Sequence, residues 1–505
     1  MNIALRVDAG HKIGTGHFMR CLTLADILVR RGACCVFLCR QLPPHLVQVL
    51  ELHGHSLFNL PARDKETSDG DLKHAEWLDA PQSSDAADCL SVLQGRQWDW
   101  LVVDHYAIDW RWETLLRSAV RGIFVIDDLA DRRHECDLLL DQNQYHDMQS
   151  RYDGKVPSFC RLLLGPRFAL LREEFHRLRL SIPSRGKQVK RLLVFFGGID
   201  EHNFTGRALA AVSGVTEIAL DVDVVLGALH PQRVEIEALC QRHGYRCHVQ
   251  TTQMAELMAR ADLAIGAGGT ATWERCSVGL PTLALSTADN QVLQLADAAS
   301  QGLVYTMAEG EDVQSRISLH LQALMQNPAL RALISNKGMA AVDGLGGQRV
   351  AACLGVSGVK MREAERRDSD ALYRWRNHPS IRIVSRSIGE IAWEDHKRWF
   401  AGVLVDPRRK LLIGELGGEP VGVVRFDLEE SGQAEVSIYL IPDAVLRCRG
   451  ADLLQSAEDW IIRNCANTLR LHAQVKGSNK RSNGLFMAAG YEIDSTRFLK
   501  KLREL

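Results

Sequence analysis

A glycine-rich segment near the amino terminus carries the first residues whose types and spacing suggest chemistry. Asp8 ends a short apolar run, Ile13-Gly14-Thr15-Gly16-His17 follows, and Arg20 comes one turn later. The glycines let the backbone turn sharply and approach a ligand closely. A helix starting here offers unpaired N–H groups that favour an anion such as phosphate. His17 at that start can act as a general base near pH 7; the alternative is an ordinary turn with an incidental surface histidine.

Two later segments repeat this arrangement of a strand, a glycine turn and a helix. They are Phe196-Gly197-Gly198-Ile199-Asp200 and Ile265-Gly266-Ala267-Gly268-Gly269-Thr270, the second followed by Glu274. Both place glycines where phosphate binding requires them, and Glu274 can accept hydrogen bonds from a ribose diol. Neither is a P-loop or a dinucleotide fingerprint in its usual position. The alternative is ordinary turn chemistry of an α/β fold.

Acidic and aromatic residues also stand at predicted strand ends. Asp104-His105-Tyr106 and Asp127-Asp128 each follow a buried apolar run and face the same predicted cleft. They bind sugar hydroxyl or amide groups, or they cap helices; both interpretations stay open. We find no clustered Asp/Glu/His motif and predict no metal site.

The elements that must position these residues alternate between strand and helix. The predicted elements of the first segment are strand Ile3–Val7, a helix from His17, strand Cys34–Cys39, helix Pro43–Leu52, and strands Leu101–Val103 and Ile123–Ile126. After Arg191 the predicted strands are Leu192–Phe196, Val222–Leu226, Cys247–Gln250, Leu263–Ile265 and Thr282–Leu285, and the helices are Met254–Arg260, Thr270–Val278 and Gln291–Ser300. This pattern predicts two doubly wound halves that bind ligands in the cleft between them.

The pattern changes around residues 355–358, where an α+β module begins. Its predicted elements are strand Val359–Arg362, a helical stretch around residues 373–377, strands Lys410–Glu415, Pro420–Asp427 and Ala434–Leu440, and a helix over Ala451–Asn464. The Gly417-Gly418 turn between two of the strands indicates a hairpin.

Composition limits the classes of function. The chain has 505 residues, with 61 Lys+Arg against 62 Asp+Glu, so we expect no general attraction to nucleic acid or to a membrane. At about 150 residues per domain, this length predicts roughly three domains. The 13 cysteines show no repeating spacing, which favours a reducing compartment. We find neither a signal-peptide pattern nor a long apolar run, and therefore expect a soluble cytoplasmic protein.

Several motifs together resemble the nucleotide-sugar hydrolases of the pseudaminic acid pathway. They are R-V-D-A (6–9), I-G-T-G-H-x-M-R-C-L-T-L-A (13–25), V-V-D-H-Y (102–106), I-D-D-L-A-D-R (126–132), F-F-G-G-x-D (195–200), G-A-G-G-T-A-T-W-E-R (266–275) and D-N-Q (289–291). The family resembles in fold the GT-B glycosyltransferase that adds N-acetylglucosamine in peptidoglycan synthesis. The resemblance implies hydrolysis of UDP-2,4-diacetamido-2,4,6-trideoxy-β-L-altropyranose to UDP and free sugar.

The resemblance also implies roles for residues. His17 is expected to activate water for inverting attack at the anomeric carbon, and Glu274 to contact the ribose. The expected UDP and sugar contacts are Asp8, Gly14, Thr15, Gly16, Arg20, Asp104, Tyr106, Gly197, Gly198, Gly268, Gly269, Asn290 and Gln291. UDP is a good leaving group, so the second carboxylic acid of ordinary glycosidases is not needed. Backbone N–H groups can stabilise the departing diphosphate without a metal.

The carboxyl-terminal module resembles GNAT-superfamily acetyltransferases, in particular the amino-sugar acetyltransferase of the same pathway. The motifs are W-R-N-H-P (375–379), His396, W-F (399–400), G-V-V (422–424), R-C-R-G-A (447–451), and Asn479, Ser482, Gly490 and Tyr491. The resemblance implies acetyl-CoA as cosubstrate, held by Arg447, Arg449, Gly450, Ala451, Asn479 and Ser482.

This module departs from the superfamily pattern at two places. Cys448 or Asp452 falls where a small residue is usual, depending on the alignment, and Phe486 replaces a common tyrosine acid. The module is therefore a working enzyme, with Glu435 or a water chain deprotonating the amine, or a non-catalytic docking remnant.

Together these observations predict a GT-B-like pair of Rossmann-like domains, 1–165 and 166–355, the second binding UDP, plus a GNAT domain at 359–505. The expected function is bifunctional: acetylation of a UDP-4-amino-sugar, then hydrolysis of the product. Two alternatives remain, namely a GT-B glycosyltransferase that uses a UDP-sugar donor and a catalytically dead nucleotide-sugar-binding protein.

Overall fold

A computed structural model describes most of the chain. The described residues are 1–63, 71–179, 181–182, 185–215, 220–228, 230–307, 310, 312–356, 358–385, 388–416, 418–442, 450–465, 467–476, 479–494 and 497–501. They form two compact units: a large unit of residues 1–27 and 34–354, and a small unit of residues 28–33 and 355–505.

The first half of the large unit is a parallel sheet covered by helices. Its strands are β1 (Asn2–Val7), β2 (Cys34–Cys39), β3 (Ser56–Asn59), β4 (Trp98–Asp104), β5 (Val120–Ile126), β6 (Leu138–Asp141) and β7 (Arg161–Leu164). Its helices are α1 (Gly16–Arg30), α2 (Pro44–Leu52), α3 (Gln82–Leu93) and α4 (Trp110–Leu116). The strand order β3-β2-β1-β4-β5-β6-β7 puts β1 beside β4, with Val7 opposite Asp104. The central strands are buried along nearly their whole length, as in sheets covered on both faces.

The second half repeats this topology. Its strands are β8 (Arg191–Phe195), β9 (Asp221–Leu226), β10 (Arg246–Val249), β11 (Leu263–Ala267), β12 (Thr282–Leu285) and β13 (Tyr305–Thr306), in the order β10-β9-β8-β11-β12-β13. Its helices are α5 (Glu173–Arg179), α6 (Phe204–Val215), α7 (Arg233–His243), α8 (Met254–Arg260), α9 (Thr270–Ser277), α10 (Asp289–Ser300), α11 (Val313–Gln326) and α12 (Pro328–Ala341). Helix α13 (Gly346–Cys353) follows, and its Gly347 packs against Ile27 of α1 in the first half. In each half, the loops that follow the parallel strands therefore lie along one edge of the sheet. This is the edge at which α/β folds bind ligands.

The small unit holds a mixed sheet. Its strands are β14 (Lys360–Glu363), β15 (Arg409–Leu416), β16 (Glu419–Leu428), β17 (Gln433–Leu440), β18 (Arg470–Gln474), β19 (Glu492–Asp494) and β20 (Arg497–Lys501), in the order β14-β15-β16-β17-β18-β20-β19. Its helices are α14 (Ser369–Asn377), α15 (Pro379–Arg382), α16 (Trp393–Val405), α17 (Gly450–Asn464) and α18 (Lys480–Ala488). Neighbouring strands are antiparallel except β17 and β18, which pair in parallel only over Gln433–Glu435 and Arg470–His472.

These topologies confirm the predicted fold class, two doubly wound halves followed by an α+β module. Strand β3 was not predicted because its side chains are mostly exposed and give no apolar run. Strand β13 was not predicted because it has only two residues. Within the described residues, no helix is long and apolar enough to cross a membrane.

Candidate functional site

His17 lies in the first turn of α1, at the edge of the first sheet where β1 and β4 end. The loop before it closes on itself, because Gly10 and Gly14 exchange backbone hydrogen bonds of 2.8 and 3.3 Å. Gly14 has a φ of 76°, a left-handed conformation that favours glycine. This turn fixes the direction in which α1 leaves the sheet and thereby the position of His17.

Asp104, the last residue of β4, binds the His17 ring. Its Oδ1 lies 2.6 Å from His17 Nδ1, and the two side chains are 0% and 10% exposed. Arg20, one turn further along α1, donates to both oxygens of the same carboxylate, from Nε at 2.6 Å and from Nη2 at 2.7 Å. Burial by itself raises the pKa of Asp104, but Arg20 and His17 hold that pKa well below its ordinary value.

The charge of Asp104 decides which ring nitrogen of His17 carries the proton. An ionised carboxylate only accepts hydrogen bonds, so Nδ1 must be the donor. The lone pair of the neutral ring is then on Nε2, on the opposite side from Asp104. This arrangement orients a histidine as a general base, as in the catalytic triads.

Aromatic side chains surround this pair. The Tyr106 ring contacts His17 edge-on at a centroid distance of 4.5 Å, and Trp77 stacks on Tyr106 at 5.6 Å. The Tyr106 hydroxyl donates to Asp128, whose other oxygen accepts from Arg20 Nη1 at 3.0 Å. The polar network and these rings therefore hold His17 in one position.

The aspartates at the strand ends accept hydrogen bonds from different partners. Both Asp104 oxygens accept hydrogen bonds from the side chains of His17 or Arg20, and contact of Asp104 with substrate stays a prediction. Asp127 is buried and accepts the Ala130 N–H at 2.9 Å, so it stabilises a turn. Asp8 is also fully buried and accepts the N–H groups of Arg40 and Gln41 at 2.7 and 3.0 Å. Asp8 thus supports the loop after β2, and its contact with substrate stays a prediction.

The glycine turn after β8 faces the turn before α1 across the large unit. Gly197 has a φ of 95°. A Cβ at Gly198 would lie 3.3 Å from the Thr15 hydroxyl, and a Cβ at Gly227 would overlap the Gly198 carbonyl oxygen. The geometry thus brings together Thr15 and Gly198, two residues that the sequence predicts to bind one ligand.

The third glycine turn caps α9. Gly269 has a φ of 88°, and Gln291 packs on Gly268, where a Cβ would lie 3.0 Å from the Gln291 amide oxygen. That oxygen accepts the Thr287 N–H at 3.0 Å. Asn290 is exposed, whereas the Glu274 side chain is 15% exposed with Arg172 at 3.5 Å. Gln291 therefore packs against the turn, and contact of Asn290 with the sugar stays a prediction.

Arg275 has a position that the sequence analysis did not single out. It is 2% exposed, and its Nη2 donates to the Ala267 carbonyl at 2.6 Å, directly before the glycine turn. Burial lowers its pKa to about 10, and no carboxylate of the described residues forms an ion pair with it. A buried positive charge therefore lies beside Ala267, directly before Gly268 and Gly269 in the chain. In the sequence, the only indication that Arg275 belongs to the site is its place in the G-A-G-G-T-A-T-W-E-R motif.

Side chains of the first half hold α9 in place. The Trp273 indole N–H donates to Asn143 at 3.0 Å, and Gln142 donates to the Thr270 hydroxyl at 3.4 Å. Trp273 is fully buried and Asn143 is 4% exposed. The turn that begins α9 is thus anchored to the loop after β6.

The small unit has a cavity of about 390 Å³ where β17 and β18 diverge. The polar residues that line it are Arg376, Ser385, His396, Arg425, Glu435, Ser437, Tyr439, Gln474, Lys476, Asn479 and Ser482. Burial raises the pKa of Tyr439 above its ordinary value, although Arg376 and Arg425 oppose the shift. Phe486 also lines the cavity.

The predicted acetyl-CoA residues are placed in part. Asn479 and Ser482 line the cavity, and the Asn479 side chain also accepts the Ser482 N–H at 3.1 Å, which caps α18. Gly450 and Ala451 begin α17. Arg447 and Arg449 lie outside the described residues.

Comparison with known proteins gives partial similarities, and no protein-family profile matches the chain. The chain is 30% identical over 213 residues to the spore coat polysaccharide biosynthesis protein SpsG of Bacillus subtilis, covering 42% of this chain and 62% of SpsG. It is 24% identical over 264 residues to the UDP-2,4-diacetamido-2,4,6-trideoxy-beta-L-altropyranose hydrolase of Campylobacter jejuni, covering 51% and 81%. The chain thus spans about three fifths of SpsG and four fifths of the hydrolase.

Solved structures resemble the two parts of the chain separately. MurG of Acinetobacter baumannii is similar with a TM-score of 0.49 and 12% identity, covering 70% of this chain and 99% of MurG. The spermidine N-acetyltransferase of Vibrio cholerae, in complex with CoA and spermine, has a TM-score of 0.27 and 14% identity, covering 28% and 95%.

Proposed function

We propose that the large unit hydrolyses UDP-2,4-diacetamido-2,4,6-trideoxy-β-L-altropyranose to UDP and free sugar. The observation that carries this proposal is the buried contact of 2.6 Å between His17 and Asp104. The similarity to the Campylobacter hydrolase supports the choice of substrate. In this proposal residues 1–165 supply the base and residues 166–355 hold UDP.

Water is the nucleophile of the proposed reaction. Its oxygen forms the new bond to the anomeric carbon while the bond from that carbon to the diphosphate oxygen breaks, and the configuration inverts. Nε2 of His17 takes the proton from water, and Asp104 stabilises the imidazolium that results. The diphosphate leaves with its charge stabilised by the N–H groups at the glycine turns and by the buried Arg275.

The test supplies the purified chain with this UDP-sugar and no acceptor, and follows UDP and sugar by mass spectrometry. We expect stoichiometric release of both products, and we expect His17→Ala to slow release by about 10²–10⁴-fold while UDP still binds. A glycosyltransferase would release no sugar without an added acceptor. A nucleotide-sugar-binding protein would release no UDP under any condition, and an active His17→Ala variant would remove His17 from the mechanism.

For residues 359–505, which belong to the small unit, we propose N-acetylation of the preceding UDP-4-amino-sugar by acetyl-CoA. The cavity where β17 and β18 diverge carries this proposal, because it joins a carboxylate, a phenol and several cations. The amine nitrogen forms a bond to the acetyl carbon, the C–S bond breaks, Glu435 takes the amine proton, and Tyr439 protonates the departing thiolate. Tyr439 thereby performs the role that Phe486 cannot.

The assay for this second reaction measures CoA thiol release with the amino-sugar nucleotide as acceptor. We expect Tyr439→Phe to lower the rate, because no phenol then protonates the departing thiolate. The loss should be smallest at low pH, where solvent can protonate the thiolate instead. Glu435→Gln should shift the rate profile to higher pH, where more amine is already neutral. No acetyl transfer by the intact chain would identify the module as a docking remnant.

A further inference from the structure

Three side chains that can bind a metal meet far from the candidate active site. Asp26 lies on α1, His53 follows the end of α2, and His55 directly precedes β3. The carboxylate Oδ1 is 2.8 Å from His55 Nε2, and Oδ2 is 2.8 Å from His53 Nδ1. The candidate ligand atoms all lie within 4.8 Å of one another.

The three residues differ in exposure in a way that suits a binding site. The His55 side chain is 2% exposed and packs near the Phe37 ring, whereas Asp26 and His53 are 30% and 42% exposed. His55 therefore supplies a fixed ligand, and an ion can reach it from the His53 side.

We propose that Asp26, His53 and His55 bind one divalent transition metal ion, with zinc as the best match. Two imidazole nitrogens and one carboxylate oxygen are a ligand set of zinc sites, in which water takes the fourth position. Ligands at zinc bond lengths of about 2.1 Å in a tetrahedron stand roughly 3.4 Å apart. The present N···O distances are thus about half an ångström shorter, a difference that small rotations of the side chains accommodate.

Metal binding also requires the imidazole protons of His53 and His55 to move. His53 Nδ1 and His55 Nε2 now donate to Asp26, and each must present a lone pair to the ion. Each ring does so by carrying its proton on the other nitrogen, so both imidazoles stay neutral. The ion then replaces two hydrogen bonds with three coordinate bonds.

The position of the site indicates a structural role. Asp26 is nine residues beyond His17, which is about 14 Å along the axis of α1. The site joins α1 to the segment that enters β3, the strand at the edge of the first sheet. A bound ion therefore stabilises this edge and takes no part in the reaction at His17.

The test uses the full chain after removal of metal, titrated with ZnCl₂ against a chromophoric chelator. We expect one site per chain, weakened roughly 100-fold by His53→Ala and by Asp26→Asn. Zinc should raise the thermal unfolding midpoint of the wild type and leave that of His53→Ala unchanged. Two control variants, His146→Ala and Cys34→Ala, remove an exposed histidine and an exposed thiol elsewhere and should bind zinc as the wild type does.

Cobalt distinguishes this site from binding by cysteines. Co²⁺ should give visible bands without the near-ultraviolet band of thiolate ligation, and His53→Ala should lose them. His53→Ala removes only an exposed side chain, so its result stands even where Asp26→Asn fails to fold. Zinc binding of the same stoichiometry and affinity in His53→Ala as in the wild type would overturn the proposal. So would loss of binding only in Cys34→Ala, or no binding by the wild type.

Discussion

At the scale of single residues, the chemistry of the large unit depends on charges that are buried in pairs. His17, Asp104 and Arg20 form one hydrogen-bonded group, with Asp128 and Tyr106 attached to it. All five residues lie in motifs of the sequence, but these motifs do not show which of the residues form hydrogen bonds with one another. Asp104 is 87 residues from His17, and only the adjacency of β1 and β4 brings them together.

Asp104→Asn tests the role of this group. An amide of the same shape can donate to Nδ1, which would move the His17 proton to Nε2 and remove the base. We expect hydrolysis to slow by about 10⁴-fold, as for the equivalent change in catalytic triads, with little change in UDP affinity. Single-turnover UDP release measures the effect. A rate within threefold of the wild type would contradict the assignment of the tautomer.

Arg275→Met tests the buried charge beside the α9 turn. Methionine fills much of the same volume without charge, so UDP should bind about tenfold more weakly, whereas Arg275→Lys should retain part of the affinity. Calorimetric titration with UDP measures this, and urea unfolding serves as the control for folding. Equal affinity in all three proteins would show that the charge does not act on the diphosphate.

Asp141 is a buried acid whose titration should appear in stability. Burial, followed by the nearby charge of Asp128, raises the pKa of Asp141 to about 8. Its folded-state pKa exceeds the unfolded value, so the stability it contributes is present below pH 4 and is lost as pH rises to about 8. We expect the urea midpoint of the wild type to fall, relative to Asp141→Asn, between pH 5 and pH 8. A constant difference between the two proteins would contradict the shift.

At the scale of elements, the site is built from turns that follow parallel strands. The sequence predicted β1, the turn before α1 and both later glycine turns, because glycine and helix-start signals are local. It did not predict the packing of Gly227 against Gly198 or the burial of Arg275, which depend on strands far apart in the chain. The Asp26 cluster was missed for the same reason, since Asp26 lies 27 residues before His53 and forms no motif.

Gly227→Ala tests the packing of the turn after β8. The added Cβ would overlap the Gly198 carbonyl oxygen, so the turn must shift. We expect a loss of about 1–3 kcal/mol in the free energy of unfolding, together with weaker UDP binding. Gly214→Ala, in α6 with open space around it, is the matched control and should stabilise by about 0.5–1 kcal/mol. Unchanged UDP binding in Gly227→Ala would show that Gly198 is not part of the nucleotide site.

At the scale of the whole molecule, the chain combines two compact units with separate cores. Each proposed reaction uses residues of one unit only. His17→Ala should therefore abolish hydrolysis and leave acetyl transfer unchanged, and Glu435→Gln should lower acetyl transfer by roughly 100-fold and leave hydrolysis unchanged. Parallel assays of CoA and UDP release check this independence. Loss of both activities in either variant would show that the two reactions depend on each other.

The hydrogen bonds that anchor α9 to the loop after β6 have a consequence for turnover. Trp273 and Asn143 are buried, so separating the two halves would expose an indole and leave both polar groups without their partners. The proposed UDP site should therefore keep its shape after the sugar has left, and we expect UDP to bind to the free enzyme without a cost for closing the site. UDP should act as a competitive product inhibitor, and flux through this step should depend on how fast other enzymes remove UDP.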